Sequence, residues 1–273
     1  MLDPGLNGRV ALVTGANQGI GAATARALAD EGVAVLLTYL RLDPRAHAGE
    51  PYPAEYGQVR AATAEQVARQ IREDGGAAES VEADLADPTV PALLFDRAEA
   101  ALGPVEILVN NASGWLANTF LPADRDRFGR RLRPVDAGSH DRMFAVDARA
   151  PALLIAEFAR RHIRRGAGWG RIVGLTSGGQ SGFPEEVSYG AAKAAQENYT
   201  MAAAQELGRY GVTANMVHPP VTDTGWITPA VQQAAVAGSP LRHLAQPDEV
   251  AEVIVLLASH QARHLTGQVI RMS

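Results

Sequence analysis

The stretch VALVTGANQGIG, residues 10–21, is where the fold becomes readable. Val10 to Thr14 is short, apolar and rich in β-branched side chains, as a strand buried on both faces requires. Gly15, Gly19 and Gly21 punctuate the turn after it. Ala22 to Glu31 (AATARALADE) is alanine-rich with apolar residues at helical spacing, and Gly32 ends it. Val33 to Tyr39 (VAVLLTY) is a second strand. Strand, turn, helix and strand in this order call for a right-handed crossover and a parallel sheet.

Outward from this unit the alternation repeats. Helices are expected over Thr63–Asp74, Pro88–Leu102, His140–Arg165, Ser188–Tyr210 and Pro247–Ser259. Strands are expected over Ala78–Ala83, Ile107–Asn110, Arg171–Thr176, Val212–Val217 and Gly267–Ile270. Seven strands alternating with helices predict an α/β fold: a doubly wound, Rossmann-type parallel seven-stranded sheet with helices on both faces, in a single domain spanning residues 1–273. Three stretches break the rhythm: Leu42–Arg60, Ser113–Gly138 and Thr222–Gln246. All three come after strands on the carboxyl-end side of the sheet, where such folds bind ligands. The plain reading is surface insertion; the functional one is that the last two, about 113–138 and 222–246, shape a substrate pocket.

The 273 residues are 47% hydrophobic and 20% charged, ordinary values for a globular protein with a real core. A formal net charge of −5 gives no general attraction to nucleic acid or anionic membrane. With no cysteine, disulfides and thiolate metal sites are excluded, which is compatible with a reducing, cytoplasmic setting. The first ten residues show no basic segment followed by an apolar one, so no secretory signal is expected, and no run reaches the length of a membrane span.

Glycines between a strand and a helix let the backbone turn tightly and let an anion approach the helix N-terminus, where free N–H groups and the helix dipole stabilise it. On the first strand of this pattern the expected anion is the pyrophosphate of a dinucleotide. Further along, Tyr189 and Lys193 stand four apart in a helical stretch, so both lie on one face. A free tyrosine titrates near ~10, too high for easy proton transfer at neutral pH, and a nearby ammonium lowers that value. Ser177 lies twelve residues before Tyr189 at a strand end, placed to hydrogen-bond a substrate oxygen beside it; Thr176 is the alternative hydroxyl.

The turn TGANQGIG, spaced Gly-x-x-x-Gly-x-Gly, resembles the cofactor turn of the short-chain dehydrogenase/reductase family. Asp84-Leu85, Asn110-Asn111-Ala112-Ser113, Ser177, Tyr189-x-x-x-Lys193, Pro219 to Thr224 and Leu265-Thr-Gly-Gln268 occur in the family's order, so the likeness runs from residue 8 to 270. The resemblance implies an NAD(P)-dependent oxidoreductase acting on a small carbonyl or alcohol substrate, with Tyr189 as proton donor and acceptor. Gly15, Asn17, Gly19, Ile20 and Gly21 would hold the pyrophosphate. Tyr39 and Arg41 would face the adenosine ribose, Asp84 and Leu85 the adenine, and Asn111, Ala112 and Ser113 the riboses. Lys193 would bind the nicotinamide ribose beside Tyr189, and Pro219, Thr222 and Thr224 the nicotinamide amide. The family is usually dimeric or tetrameric through its long helices, so a homodimer or homotetramer is expected.

NAD-preferring sites place a carboxylate after the second strand. Here that segment reads Leu37-Thr-Tyr-Leu-Arg41, with no acid before Asp43, so NADP(H) is favoured over NAD(H), with Arg41 or hydroxyls holding the 2′-phosphate. Gln18 stands where many NADP enzymes of the family carry a basic residue.

Two departures matter. Where the family reads Phe-x-Val-Asn, this chain reads Phe144-Ala-Val-Asp147. An ionised carboxylate accepts hydrogen bonds and cannot donate one. Asp147 is therefore a fourth site residue, either pairing with Lys193 and raising its pKa, slowing proton relay, or simply structural. The family's Pro-Gly is here Pro219-Pro220, which removes an N–H. These departures keep open a catalytically weak NAD(P)-binding sensor or regulatory protein, and an epimerase or dehydratase on the same fold. The pair His260 and His264 lacks a third ligand and reads as a helix end, so no metal is expected. Arg160, Arg161, Arg164 and Arg165 read as helix-end cations and not as a nucleic-acid patch.

Overall fold

The computed structural model describes residues 3–43, 45, 52–53, 55–178 and 182–273. Strands β1 (Val10–Thr14), β2 (Ala34–Tyr39), β3 (Ala78–Glu82), β4 (Ile107–Asn110), β7 (Gly170–Leu175), β8 (Val212–His218) and β9 (Val269–Arg271) form one parallel sheet in the order β3-β2-β1-β4-β7-β8-β9. Successive side chains point to opposite faces. Ala11 and Val13 of β1 therefore pack with α1 (Gly19–Asp30), α3 (Glu65–Glu73) and α9 (Pro247–Ala258) on one side, while Val10 and Leu12 pack with α4 (Val90–Ala101), α6 (Ala150–Arg164) and α7 (Val187–Leu207) on the other. The strand order reverses at β1, whose neighbours are β2 and β4. A crevice opens there, beyond the carboxyl ends of the strands.

The insertions carry structure of their own. Of the Leu42–Arg60 stretch, residues 44, 46–51 and 54 lie outside the described residues; its last part enters α2 (Tyr56–Ala61). Within 113–138, β5 (Asn118–Thr119) and β6 (Arg133–Pro134) make a two-stranded parallel pair. Within 222–246 lies α8 (Pro229–Gly238), started by Pro229 and by the Thr228 hydroxyl accepting from the Val231 N–H.

The long helix expected over His140–Arg165 is not continuous. It runs as α5 (Ala137–Phe144), a π-helical turn over Ala145–Arg149, and then α6. The cause is legible in Pro151: it has no N–H to offer the carbonyl of Asp147 four residues back, and its ring crowds that carbonyl. The chain widens instead, and the Ala150 N–H donates to the Ala145 carbonyl, five residues back. Such turns occur mostly where function needs an unusual backbone. This one carries Asp147.

The arginine run at the end of α6 is not simply a solvated cap. Arg161 is buried and paired with Glu157, Asp96 and Glu99, so its charge is spent tying α6 to α4. No helix of the described residues is long and apolar enough to cross a membrane, and no group of three metal-ligating side chains occurs among them.

Candidate active site

The crevice is a cavity of about 940 Å³. At one end lies the glycine turn, built from backbone. Gly21 is required there: a Cβ would stand 2.2 Å from the Gly15 carbonyl oxygen. Gly19 has φ +52°, and a Cβ on it would meet Thr224 Cγ2 at 2.8 Å, so Thr224 closes over the turn. Asn111 donates through its side-chain amide to the carbonyls of Thr14 and Gly15 at 2.8 and 3.0 Å. The Thr14 hydroxyl accepts from the N–H groups of Asn111 and Ala112. Asn111 thus holds the turn in shape, a scaffolding contact beyond the ribose contact expected of it. Asn17 donates to the Ala62 carbonyl, bringing the end of α2 against the turn.

This end suits an anionic, hydrogen-bonding group. The N-cap residue of α1, Gln18, gives no side-chain cap, and the first turn has no acid. The Gln18 Oε1 atom is buried without a partner among the described residues. Asp84, Leu85, Tyr39, Ser113, Pro219 and Thr222 line the same cavity. Arg41 does not. It lies against Glu82, 2.9 Å away across the β2–β3 pair, and its pKa is raised chiefly by hydrogen bonding to that carboxylate. Arg60 of α2, whose guanidinium lies over the Tyr56 ring, is a cation on the cavity wall.

At the other end Ser177 and Tyr189 line the wall, and Lys193 and Asp147 are buried and do not line it. Ser177 lines the cavity just past the end of β7, whereas Thr176 is buried with its N–H on the Val217 carbonyl and does not line it. Asn118 fixes the start of α7. Its side chain accepts from the Ser188 N–H at 2.9 Å and donates to the Ser188 hydroxyl at 2.8 Å, so the 113–138 segment is anchored one residue from Tyr189.

Lys193 is 2% exposed. Its ammonium donates to the Leu175 carbonyl and to Gln196 Oε1, both at 3.0 Å, and lies 3.2 Å from Asp147 Oδ1. That last contact is an ion pair rather than a directed hydrogen bond, since Oδ1 has no hydrogen-bond partner among the described residues. The second carboxylate oxygen, Oδ2, accepts from the Gly114 N–H at 2.8 Å. Gln196 in turn donates to the Asn110 carbonyl at 3.2 Å. Gln196 stands three residues after Lys193 on the same helix face, and that spacing was its signal in the sequence.

Burial works against the acidification of Tyr189 that the spacing of Lys193 predicts. The Tyr189 pKa is pushed well above the ordinary tyrosine value, first by burial, then by the charges of Asp147 and Glu186; the hydroxyls of Ser113 and Ser177 pull it down only in part. Tyr189 is only partly buried and lines the cavity. Lys193 is 5.6 Å from the ring centroid, with its charge turned to Asp147. Ser113, expected as a cofactor contact, is also one of the hydroxyls that lower the Tyr189 pKa.

Beyond Tyr189, Arg130 is buried between Asp126 at 2.6 Å and Glu186 at 3.1 Å. Three rings surround its guanidinium, Trp115 at 5.3 Å, Trp226 at 5.6 Å and Phe128 at 5.9 Å. The Trp115 indole donates to Glu186, and that of Trp226 to the Thr222 carbonyl. This cluster joins the 113–138 and 222–246 segments to the start of α7. Asp126 is four residues before Arg130, but Trp115, Glu186 and Trp226 are far from it in the chain, so no local pattern announces the whole cluster.

These features agree with what the chain resembles. Residues 9–63 match the family model described as short chain dehydrogenase, and residues 54–273 match the one described as enoyl-(acyl carrier protein) reductase. The chain is 36% identical over 266 residues to cis-4-hydroxycyclohexanecarboxylate dehydrogenase of Sinomonas cyclohexanicum, covering 96% of this chain and 94% of that one. It is 32% identical to the uncharacterized oxidoreductase YjdA of Bacillus subtilis, again over 96% and 94%. Among solved structures, the angucycline C-6 ketoreductase LanV with bound NADP superposes with a TM-score of 0.78 at 30% identity, over 97% of this chain and 94% of that one. The chain belongs to the short-chain dehydrogenase/reductase family and is an oxidoreductase of that family.

Proposed function

We propose that this protein is an NADP-dependent carbonyl reductase or alcohol dehydrogenase for a small organic substrate, with Tyr189 as its proton donor and acceptor. The observation that carries the reading is that Ser177 and Tyr189 face the same cavity as the glycine turn of α1. Gly15 to Gly21 would hold the pyrophosphate on the free N–H groups of α1, Asp84 and Leu85 the adenine, and Pro219, Thr222 and Thr224 the nicotinamide riboside, while Lys193 would reach the ribose only by giving up one of its present partners. When bound, the cofactor supplies the hydride. The chain's residues supply position and proton: Ser177, with Ser113 beside it, orients the substrate oxygen, and Tyr189 donates its hydroxyl proton to that oxygen as the carbonyl is reduced.

The choice of NADP rests on the missing carboxylate after β2 and on Arg60, not Arg41, at the cavity wall. A charged hydrogen bond to the 2′-phosphate is worth enough that Arg60→Ala should weaken NADPH binding about tenfold. Fluorescence titration with NADPH and NADH reads this directly. Equal affinities in the unmodified protein end the NADP assignment; no binding of either, together with unchanged turnover in Tyr189→Phe, ends the whole reading.

The aromatic wall of Trp115, Phe128 and Trp226, with Arg127 beside it, suits a ring substrate bearing an anionic or hydroxylated edge. LanV is named a ketoreductase and the Sinomonas relative a dehydrogenase of a hydroxycyclohexanecarboxylate, which supports this class. A second reading, a cofactor-binding sensor with little turnover, is favoured by one observation, the capture of Lys193 by Asp147. Turnover on a panel of cyclic ketones and alcohols eliminates it. Pairing of copies through α5–α6 and α7, whose outer side exposes Tyr199, completes the proposal and is read by sedimentation.

A further inference from the structure

The carboxylate of Asp147 has no solvent exposure and sits at the bend where Pro151 forces a π turn. One oxygen is fixed by the Gly114 N–H; the other faces Lys193 at 3.2 Å. An ammonium alone, at the distance Lys193 keeps from Tyr189, would favour the phenolate. An ammonium with a carboxylate against it offers only the weaker field of a dipole. The remaining groups around Tyr189 do not restore the balance. Glu186, three residues before it, is held by Arg130 and the Trp115 indole. Ser113 and Ser177 are neutral, and His218 has its Nε2 at 2.6 Å from the Gly178 carbonyl. Asp84 and Arg142 line the same cavity, and neither is among the leading influences on the Tyr189 hydroxyl.

We propose that Asp147 is an internal counter-ion that keeps Tyr189 protonated and so commits the site to reduction. The inference rests on the assignment of Tyr189 as proton donor above. In reduction a hydride is added to the carbonyl carbon, the carbonyl π pair takes the Tyr189 proton, and the phenolate left behind recovers a proton from solvent through the cavity. A phenolate facing Asp147 is unstable, which speeds that recovery. Oxidation runs the steps in reverse and needs the phenolate first, so it is held back at neutral pH by the same carboxylate. Asp147 acts through Tyr189 and not on substrate; it is a positioning residue for charge.

The test needs neither cofactor nor substrate. Tyrosinate absorbance near 295 nm is titrated in the unmodified protein and in Asp147→Asn, each minus its Tyr189→Phe counterpart. Asparagine keeps an oxygen for the Gly114 N–H, and folding is checked by circular dichroism. In the unmodified protein no Tyr189 signal is expected at or below pH ~10, the ordinary tyrosine range. In Asp147→Asn the signal should fall by at least about one pH unit, the smallest shift expected when an opposite charge nearby is uncovered. Coincident titrations overturn the proposal. So does ionisation of Tyr189 at or below ~10 in the unmodified protein, whether or not the variant folds. Once a substrate is in hand, the pH profile of oxidation should move to lower pH by the same interval in Asp147→Asn. Failure of cofactor to bind would end the functional reading and leave these titrations interpretable.

Discussion

Strand β7 has a buried cation at each end. At its carboxyl end Lys193 meets the Leu175 carbonyl, a glutamine and a carboxylate. At its amino end Arg171, also 2% exposed, donates to the Gly170 carbonyl, and its Nε atom has no partner among the described residues. Arg171 lies over Trp169 at 4.4 Å, and the same ring carries Arg9 at 4.1 Å. Arg9 has its own carboxylate, Glu106 at 2.6 Å. Burial, and then the charge of Arg9, pull the Arg171 pKa down to about 10. One end of the strand is charge-balanced around the chemistry; the other carries an unbalanced charge that the packing tolerates. Pairing and function coincide at the cavity end, and the opposite end shows what the same fold accepts where no chemistry is at stake.

The comparison is broken most forcefully at Lys193. Lys193→Met leaves Asp147 buried and alone, and removing one member of a buried pair costs about 3–5 kcal/mol. Chemical denaturation should read that loss, and turnover should vanish with it. Tyr189→Phe separates the two effects. It removes the proton donor and leaves the ion pair, so turnover should drop by about 10²–10⁴ while cofactor titration and unfolding midpoint stay unchanged. If Tyr189→Phe destabilises the fold as much as Lys193→Met does, the hydroxyl is structural and the charge balance is not there for chemistry.

How much of this is readable in the sequence depends on whether a requirement is local. The glycine turn can be read because its requirement is steric and local: Gly21 has no room for a Cβ. Ser177, Tyr189 and Lys193 can be read because they lie at fixed spacing on a strand end and one helix face. Even the π turn has its cause in a single residue, Pro151. What the sequence does not display is which charges meet. Arg41 reaches Glu82 only through the β2–β3 register, where Tyr39 stands opposite Glu82. Arg130 reaches Glu186 only when the 113–138 segment folds onto α7. Spacing alone predicts that Lys193 acidifies Tyr189, and the net direction is upward because burial, and after it the charges of Asp147 and Glu186, raise the Tyr189 pKa. Electrostatics depends on who is near, and nearness is a property of the fold.

A smaller effect sharpens the other end. Arg171→Met should stabilise the protein. A pKa pulled down to about 10, below the ordinary arginine value, means the charge is disfavoured in the fold. Lifting that penalty, less the stacking lost on Trp169, should leave a net gain of about 1 kcal/mol. The sign with pH is set by the same shift. Above pH ~10 the folded chain gives up this proton before the unfolded chain does, so Arg171 costs less stability as pH rises. The advantage of Arg171→Met should therefore be full at neutral pH and shrink above ~10. A variant that melts lower than the parent at neutral pH would mean that the guanidinium contributes more through Trp169 than its burial costs.

Arg41 gives the smallest effect. It has what Arg171 lacks, a carboxylate 2.9 Å away, but the pair is exposed, with side-chain accessibilities of 55% and 34%. Exposed pairs gain little, because water screens them and ordering two long side chains costs entropy. If burial and not pairing sets the energy of these cations, Arg41→Ala should leave the unfolding midpoint where it was. It should also leave the ratio of NADPH to NADH affinity unchanged, since Arg41 does not line the cavity and Arg60 does. A clear fall in NADPH affinity in Arg41→Ala would show that the Glu82 contact gives way when cofactor binds, and would move the 2′-phosphate contact back to the residue that the sequence pattern favours.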